Sequence, residues 1–586
     1  MRHLLFLLVV ATASVDCGRA TPPDSPATEA ADSRIGALAD TYVASFFDRF
    51  PEQVTYYGVA GRSHDRLTDN SLAAIQAWQK KEDAWLADVR GIDPVSIVSG
   101  PLKATYAILR EALESSVASR ICRSDLWNVS QMTGWHVGYG YVVTIQPVGT
   151  DQARKEALAR WQMLPAYLDT EIANLREGIK RGYTAPKHIV RIVIDQVRTL
   201  AATPAAESPF LAPVRSDKAP EFAKAFTALT NEQIVPAIRR YADFLDGEYL
   251  PSAREAAAVA TNPDGAACYD ASIRAFSTLP KSAREVHDIG LREVARIDAE
   301  MKAIAERSFG TSDVPALMQR MRTERQFLFR TRQELIDYSK TALERARAAA
   351  PVWFGILPRA DVRIEPYPAF REKNAPGEYN PPSEDGSRSA LFYISAYEPQ
   401  KRPRADNEST AFHETIPGHH LQIAIALERK EIHQIGRYIG NSGYNEGWAL
   451  YAEELADEMK LFSGDLDRLG MLGSQNWRAV RLVVDTGLHA LGWTRQQAID
   501  YMLAHTTANA NDAASEIDRY IIWPGQATSY MLGRLEILAA REEARKAAGS
   551  AFDIKAFHDR VLEDGSVPLT FLRQKIRTAS AIRTAP

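Results

Sequence analysis

The sequence predicts a mostly α-helical protein with a small β-sheet just before the helix that carries "HETIPGHHLQ". Apolar residues recur three and four apart from Arg34 to about Pro351, and again from Arg404 to the C-terminus. Between Val352 and Arg404 that spacing gives way to strand-like alternation. No Gly-rich phosphate loop and no strand-helix alternation occurs, which excludes a nucleotide-binding sheet.

Taken in order, the first twenty residues, "MRHLLFLLVVATASVDCGRA", have a basic start, an apolar run from Leu4 to Ala13 and then small residues. This is a signal peptide, too short to span a membrane. Cys17, followed by Gly18, is a candidate lipid-attachment cysteine of a bacterial lipoprotein. Asp16 is a poor residue ahead of such a cut, so plain cleavage after Ala13 or Ala20 stands as the alternative. On either route the protein leaves the cytoplasm, as a periplasmic or membrane-anchored protein. Residues 21–33 are polar and Pro-rich and read as a flexible tether.

Residues 34–351 form a helical N-terminal region. "KEALARWQMLPAYLDTEIANLREGIKRG" carries helical spacing to Gly182, "REVHDIGLREVARIDAEMKAIAERSFG" to Gly310, and "RTRQELIDYSKTALERARAAAPVWFG" repeats the pattern. Cys122 and Cys268 are the cysteines left after the signal; a disulfide and two separate buried thiols are both open. Residues 352–580 form the second region, the one that carries the candidate chemistry. It opens with "DVRIEPYP" and "SALFYISAYEP", two strand-like runs separated by the loop "NAPGEYNPPSEDGS". The second run offers an edge along which a peptide can lie.

At 586 residues the chain exceeds one average core. It carries 70 Lys and Arg against 74 Asp and Glu, a net charge of −4, so no basic surplus points to nucleic acid. No further run of roughly 18 apolar residues follows the signal.

The chemistry sits in "HETIPGHHLQ", residues 413–422. H-E-x-x-H binds zinc because residues i and i+4 share a helix face, but here the fifth position is Pro417. On a regular helix His413 and His419 are about 600° apart, on different faces, and His413 and His420 are separated by roughly 10.5 Å along the axis. Pro417 and Gly418 resolve this if they absorb a two-residue bulge, which moves His419 into the place of the second ligand and turns His420 away. Zinc in a catalytic site takes three protein ligands and keeps a fourth position open. "GYNEGWALYAEELADEM" supplies the third ligand, Glu446, at a helix start marked by Asn445 and Gly447. Glu453, two turns on and on the same face, is the alternative third ligand, or else the acceptor for an imidazole N–H, the reading preferred here. Glu414 is the general base that takes a proton from the attacking water.

"HETIPGHHLQ" followed by "YNEGWALYAEE" closely resembles domain-of-unknown-function family 885. "FPEQVTYYGVAGRSHDRLTD", "RAVRLVVDTGLHALGW" and "RYIIWPGQATSYMLGRLEI" extend the likeness from about Arg34 to Arg577. Members are regarded as bacterial zinc peptidases, distantly related to the thimet-oligopeptidase and angiotensin-converting-enzyme types. The resemblance implies a large two-lobed helical body with a deep channel, zinc as cofactor, and His419 as second ligand.

Two further signatures supply candidate roles. Asp485 and His489 stand four apart on a helix, where the carboxylate can orient the imidazole toward a catalytic oxyanion. Arg519, Tyr520, Gln526 and Tyr530 flank the bend Trp523-Pro524-Gly525, which aims them into one space. Tyr530 is a phenolic donor to the tetrahedral intermediate, and Arg519 and Tyr520 meet the substrate, Arg519 through its planar fork. The expected function is an exported zinc metallopeptidase of short peptides. Its alternatives are a zinc hydrolase of non-peptide amides or esters, and a non-catalytic zinc-stabilised binding protein. Absence of G-x-S-x-G argues against a serine nucleophile.

Overall fold

The computed structural model describes residues 26–367, 372, 377–383, 386 and 388–584; the signal segment 1–20, with Cys17, lies outside them. Its first helix, Pro26–Arg49, starts inside the stretch read as a tether. Pro26 occupies the first helical position, where its missing N–H costs nothing. The stretch ending at Gly182 resolves into two helices, Asp151–Gln162 and Leu164–Arg181. The junction falls at Met163, two residues before Pro165, whose missing N–H ends a helix ladder. Gly182 closes the second helix at φ 78°, the left-handed cap glycine adopts without a Cβ clash.

Nine helices build or wall the candidate site. In chain order, α1 is Gly265–Ser277, α2 Ala283–Phe309 and α3 Arg332–Trp353. A capping box between Ser282 and Glu285 starts α2, and Gly310 at φ 67° ends it. Three strands follow: β1 Val362–Pro366, β2 Glu378–Asn380 and β3 Ala390–Ile394. The remaining helices are α4 Asn407–Glu414, α5 His419–Glu428, α6 Ser442–Glu458, α7 Asp465–Ala490, α8 Ala510–Ile522 and α9 Ser529–Ala548.

The sheet order is β1-β3-β2. β3 runs parallel to β1, with Ile364 opposite Phe392, and antiparallel to β2, with Tyr379 opposite Phe392. Burial alternates along β3 through Ala390, Phe392 and Ile394, as the aromatic and β-branched pattern requires. β3 is therefore the central strand. The edge expected along "SALFYISAYEP" is taken up on both sides, because part of the Pro- and Gly-rich segment read as loop adds β2 to it.

Packing crosses the 351/352 boundary. α2 lies lengthwise against α7, and α6 lies lengthwise against α9. One buried apolar cluster reaches from Ala31 to Ile576. Cys122 and Cys268 are joined as a disulfide, tying the end of helix Gly100–Ser119 to α1. Among the described residues no helix is long and apolar enough to cross a membrane.

Candidate metal centre

The segment 413–422 contains a full break rather than a bulge. α4 ends at Glu414, Thr415 leaves helical geometry, the Ile416–Pro417 peptide is cis, and α5 begins afresh at His419. Backbone bonds close the gap, from Gly418 N–H to Phe412 C=O (3.0 Å) and from Leu421 N–H to Thr415 C=O (3.3 Å). Trp448 of α6, fully buried, donates its indole N–H to the Pro417 carbonyl at 3.0 Å. Gly418 is required by space. A Cβ there would sit 1.9 Å from the His413 carbonyl oxygen and 2.4 Å from that of Phe412. The break thus folds α5 back against the end of α4.

Three side chains converge as a result. Among the described residues, donor atoms of His413, His419 and Glu446 lie within 4.8 Å of one another. Glu446 Oε2 is 3.4 Å from His419 Nε2 and 3.7 Å from His413 Nε2. These gaps exceed the roughly 2.8 Å of a charge-assisted hydrogen bond. They fit a shared cation, since bonds of about 2.1 Å at tetrahedral angles hold neighbouring ligand atoms roughly 3.4 Å apart. Two imidazole nitrogens and one carboxylate oxygen are also the donor set zinc accepts with a coordination position to spare.

The supports are built into the same helices. Glu453 stands two turns after Glu446 on α6 and accepts from His413 Nδ1 at 2.8 Å, which leaves Nε2 facing the centre. Ser409 donates to the other Glu453 oxygen at 2.7 Å. Glu408, fully buried, pairs with Arg345 of α3 and accepts from Ser463 N–H, pinning α4 in place. Residue Asn441 caps α6 by accepting from Tyr444 N–H at 2.7 Å. The helix therefore starts earlier than the Asn445-Gly447 signal suggests, and Asn445 instead accepts from Ser566.

Electrostatics follow from this geometry. Burial opposes the His413 cation, but the carboxylates of Glu446 and Glu453 outweigh it and lift its pKa to about 9. Burial likewise opposes the Glu446 anion, yet His413 and His419 hold that carboxyl well below its usual range. Glu414 is raised by burial against the pull of His413 and His419, the direction a general base needs. His420 points away, as expected: Nδ1 meets the Tyr379 hydroxyl at 3.0 Å and Nε2 donates to Ala360 C=O at 2.9 Å. Burial lowers its pKa to about 4, so the ring is neutral.

The other predicted residues fare differently. His489 does not pair with Asp485. Its Nδ1 accepts from Val259 N–H (3.1 Å) and its Nε2 donates to Tyr520 C=O (2.9 Å), so both nitrogens are spent on backbone and no oxyanion donor remains. Asp485 binds the Tyr269 hydroxyl and Gly525 N–H, and burial lifts it to about 7. Tyr520 is fully buried; its hydroxyl donates to Glu516 and accepts from Arg481 Nε, so it does not face a substrate. Arg519 is held inward by Gln526 (2.7 Å) and the Tyr530 oxygen (3.1 Å), with Glu516 at 3.5 Å. Tyr530 opens α9, whose Gly533 touches Gly443 and Gly447 of α6, beside the turn that carries Glu446.

A cleft of about 1110 Å³ borders the first turns of α4; His413, Glu414, His419 and Glu446 are not among its lining residues. Its walls include Asn407 and Thr410 of α4, Phe392 and Ile394 of β3, and Arg478 and Arg481 of α7. Thr410 stands one turn before Glu414 on the same helix face. The Arg478 charge acts on both Glu414 and Glu453. Sequence reading passed over Tyr379, Arg478 and Arg481. The arginines, three apart on one helix face, left a periodic signal; Tyr379, in a Pro- and Gly-rich stretch, left none.

Residues 51–576 match the family described as "Bacterial protein of unknown function (DUF885)". Among curated proteins nothing matches. Two solved structures are similar. One is "the putative lipoprotein from Colwellia psychrerythraea", 26% identical, with a TM-score of 0.87 over 94% of this chain and 99% of that one. The other is "a putative lipoprotein of unknown function from Shewanella oneidensis", 18% identical, with a TM-score of 0.73 over 92% of this chain and 99% of that one; it shares the fold.

Proposed function

The chain belongs to the bacterial family of unknown function DUF885, and on that premise we propose that it is an exported zinc metallopeptidase acting on short peptides. The carrying observation is the convergence of His413, His419 and Glu446 at separations suited to one cation, with Glu414 next in sequence to the first ligand. On this reading the chain is a distant relative of the thimet-oligopeptidase and angiotensin-converting-enzyme types.

Zinc held there supplies a Lewis acid toward a carbonyl and acidifies water. Glu414 takes the proton of the attacking water and passes it to the departing amine. Glu453 fixes the tautomer and tilt of His413. Tyr530 donates to the oxygen that gains charge as the carbonyl becomes tetrahedral. His489 has no part in this scheme.

Purified protein should contain about one zinc per chain and cleave members of a random peptide pool, with cleavage lost on chelation and restored by zinc. Zinc without cleavage of any peptide, alongside hydrolysis of amides or esters, would move the reading to the non-peptide alternative. Zinc with no hydrolysis of either would leave a binding protein.

Export through a lipid anchor at Cys17 is the second part of the proposal. It rests on the signal segment and on the similar Colwellia psychrerythraea protein, which is described as a putative lipoprotein. A Cys17→Ser chain is expected to leave the membrane fraction for the soluble one. Unchanged membrane association would rule the anchor out.

A further inference from the structure

Resting on that reading, we infer that the substrate carries a carboxylate and that Arg481 receives it. Among the described residues, five basic side chains line the cleft against three acidic ones. Of the basic residues, Lys401 is paired with Glu398 at 2.9 Å. Arg481 is not so simply balanced. It shares the single carboxylate of Glu516 with Arg519, at 3.0 Å and 3.5 Å respectively, so two guanidiniums face one anion. The phenols of Tyr520 and Tyr530 fill the rest of the cluster, and the Tyr530 ring lies 4.6 Å from the Arg481 guanidinium carbon. One positive charge is left in excess in a place where little water screens it.

The hydrogen-bond ledger at Arg481 points the same way. The residue is 6% exposed, its Nε donates to Tyr520 and its Nη2 to Glu516, while its Nη1 has no hydrogen-bond partner among the described residues. A desolvated N–H is rarely left unmade, and a planar guanidinium is the group that grips a carboxylate through two donors. Arg481 borders the cleft one turn of α7 beyond Arg478, about 4.5 Å along the axis. Arg478 already acts on Glu414. A peptide whose carboxylate rests on Arg481 can therefore run past Arg478 toward the metal centre. Every peptide supplies such a group at its C-terminus, and acidic side chains supply another.

The test is equilibrium binding to the full-length zinc-loaded Glu414→Gln protein. Three short peptides of neutral sequence are compared: one with a free C-terminus, one C-terminally amidated, and one amidated but bearing a Glu side chain. The free acid is expected to bind at least tenfold more tightly than the plain amide. Tight binding of the free acid alone assigns the terminal carboxylate, whereas recovery with the Glu side chain assigns an acidic side chain. Arg481→Gln should erase the preference, provided its near-ultraviolet circular dichroism is unchanged; the three-peptide comparison needs no such variant. Equal affinity for all three, or binding of none, overturns the inference. Cleavage of the same peptides by the unsubstituted enzyme reports separately on the peptidase reading. A carboxylate preference without cleavage would sink that reading alone.

Discussion

Replacing Glu414 by Gln is expected to lower kcat by about 10²–10⁴-fold, the usual contribution of a placed general base, while zinc content stays at the level of the unsubstituted protein. In barrier terms this is roughly 3–5 kcal/mol. The two readouts separate because Glu414 adjoins the ligand set without joining it: the converging donors come from His413, His419 and Glu446. Gln keeps the shape and removes only the ability to accept the proton. Burial lifts the Glu414 carboxyl against its two histidine neighbours, the direction that the proposed proton transfer calls for. Metal analysis and steady-state turnover on the same preparation decide the matter. Unchanged turnover would remove Glu414 from the mechanism, and loss of zinc would show that it contributes to holding the ion.

Gly418→Ala should be the most damaging single-methyl change in the segment 413–422. The new Cβ would lie 1.9 Å from the His413 carbonyl oxygen, far inside contact distance, and the obstacle is backbone rather than a movable side chain. Something must shift. The residues free to do so are His413 before the break and His419 directly after it, both of them proposed ligands. Zinc affinity is expected to fall by more than tenfold, and the end of α4 should loosen by a few kcal/mol, as overpacking of a close contact does. Gly36→Ala is the control, since nothing lies within 4 Å of a Cβ there. Being inside a helix, that change should leave zinc binding alone and raise stability slightly, by about 0.4–1 kcal/mol. Competition with a zinc-binding dye and thermal melts measure both. Equal zinc affinity in the two variants would mean that the break does not position His419.

Much of the centre is written in short-range pattern. The spacing failure of His413, His419 and His420 on a regular helix already requires an irregularity at Pro417-Gly418. What the pattern leaves open is its kind. A bulge and a full break both bring His419 round, and the choice lies with the indole of Trp448 on a helix 31 residues away, which holds the Pro417 carbonyl. Glu453 is legible because it stands on the same face of α6 as Glu446. Arg481 is not, because its importance comes from which neighbours fail to satisfy it.

His489 shows the limit most clearly. Asp485 and His489 have the spacing of an orienting pair, and helix geometry alone permits it. The imidazole is instead claimed by Val259 N–H, 230 residues earlier, and Tyr520 C=O, 31 residues later. The edge expected on β3 disappears for the same reason, once β1 and β2 pair with it on either side.

By itself the sequence determined the helical class, the position of the small sheet, an irregularity at Pro417-Gly418 and the chemical identity of the converging side chains, His413, His419 and Glu446. All of these follow from residue type and from periods of two or 3.6 along a few turns of chain. Only the tertiary structure decided which polar atoms stay available. A hydrogen bond is spent on whichever partner packing brings within 3 Å, and in this chain those partners stand tens to hundreds of residues away.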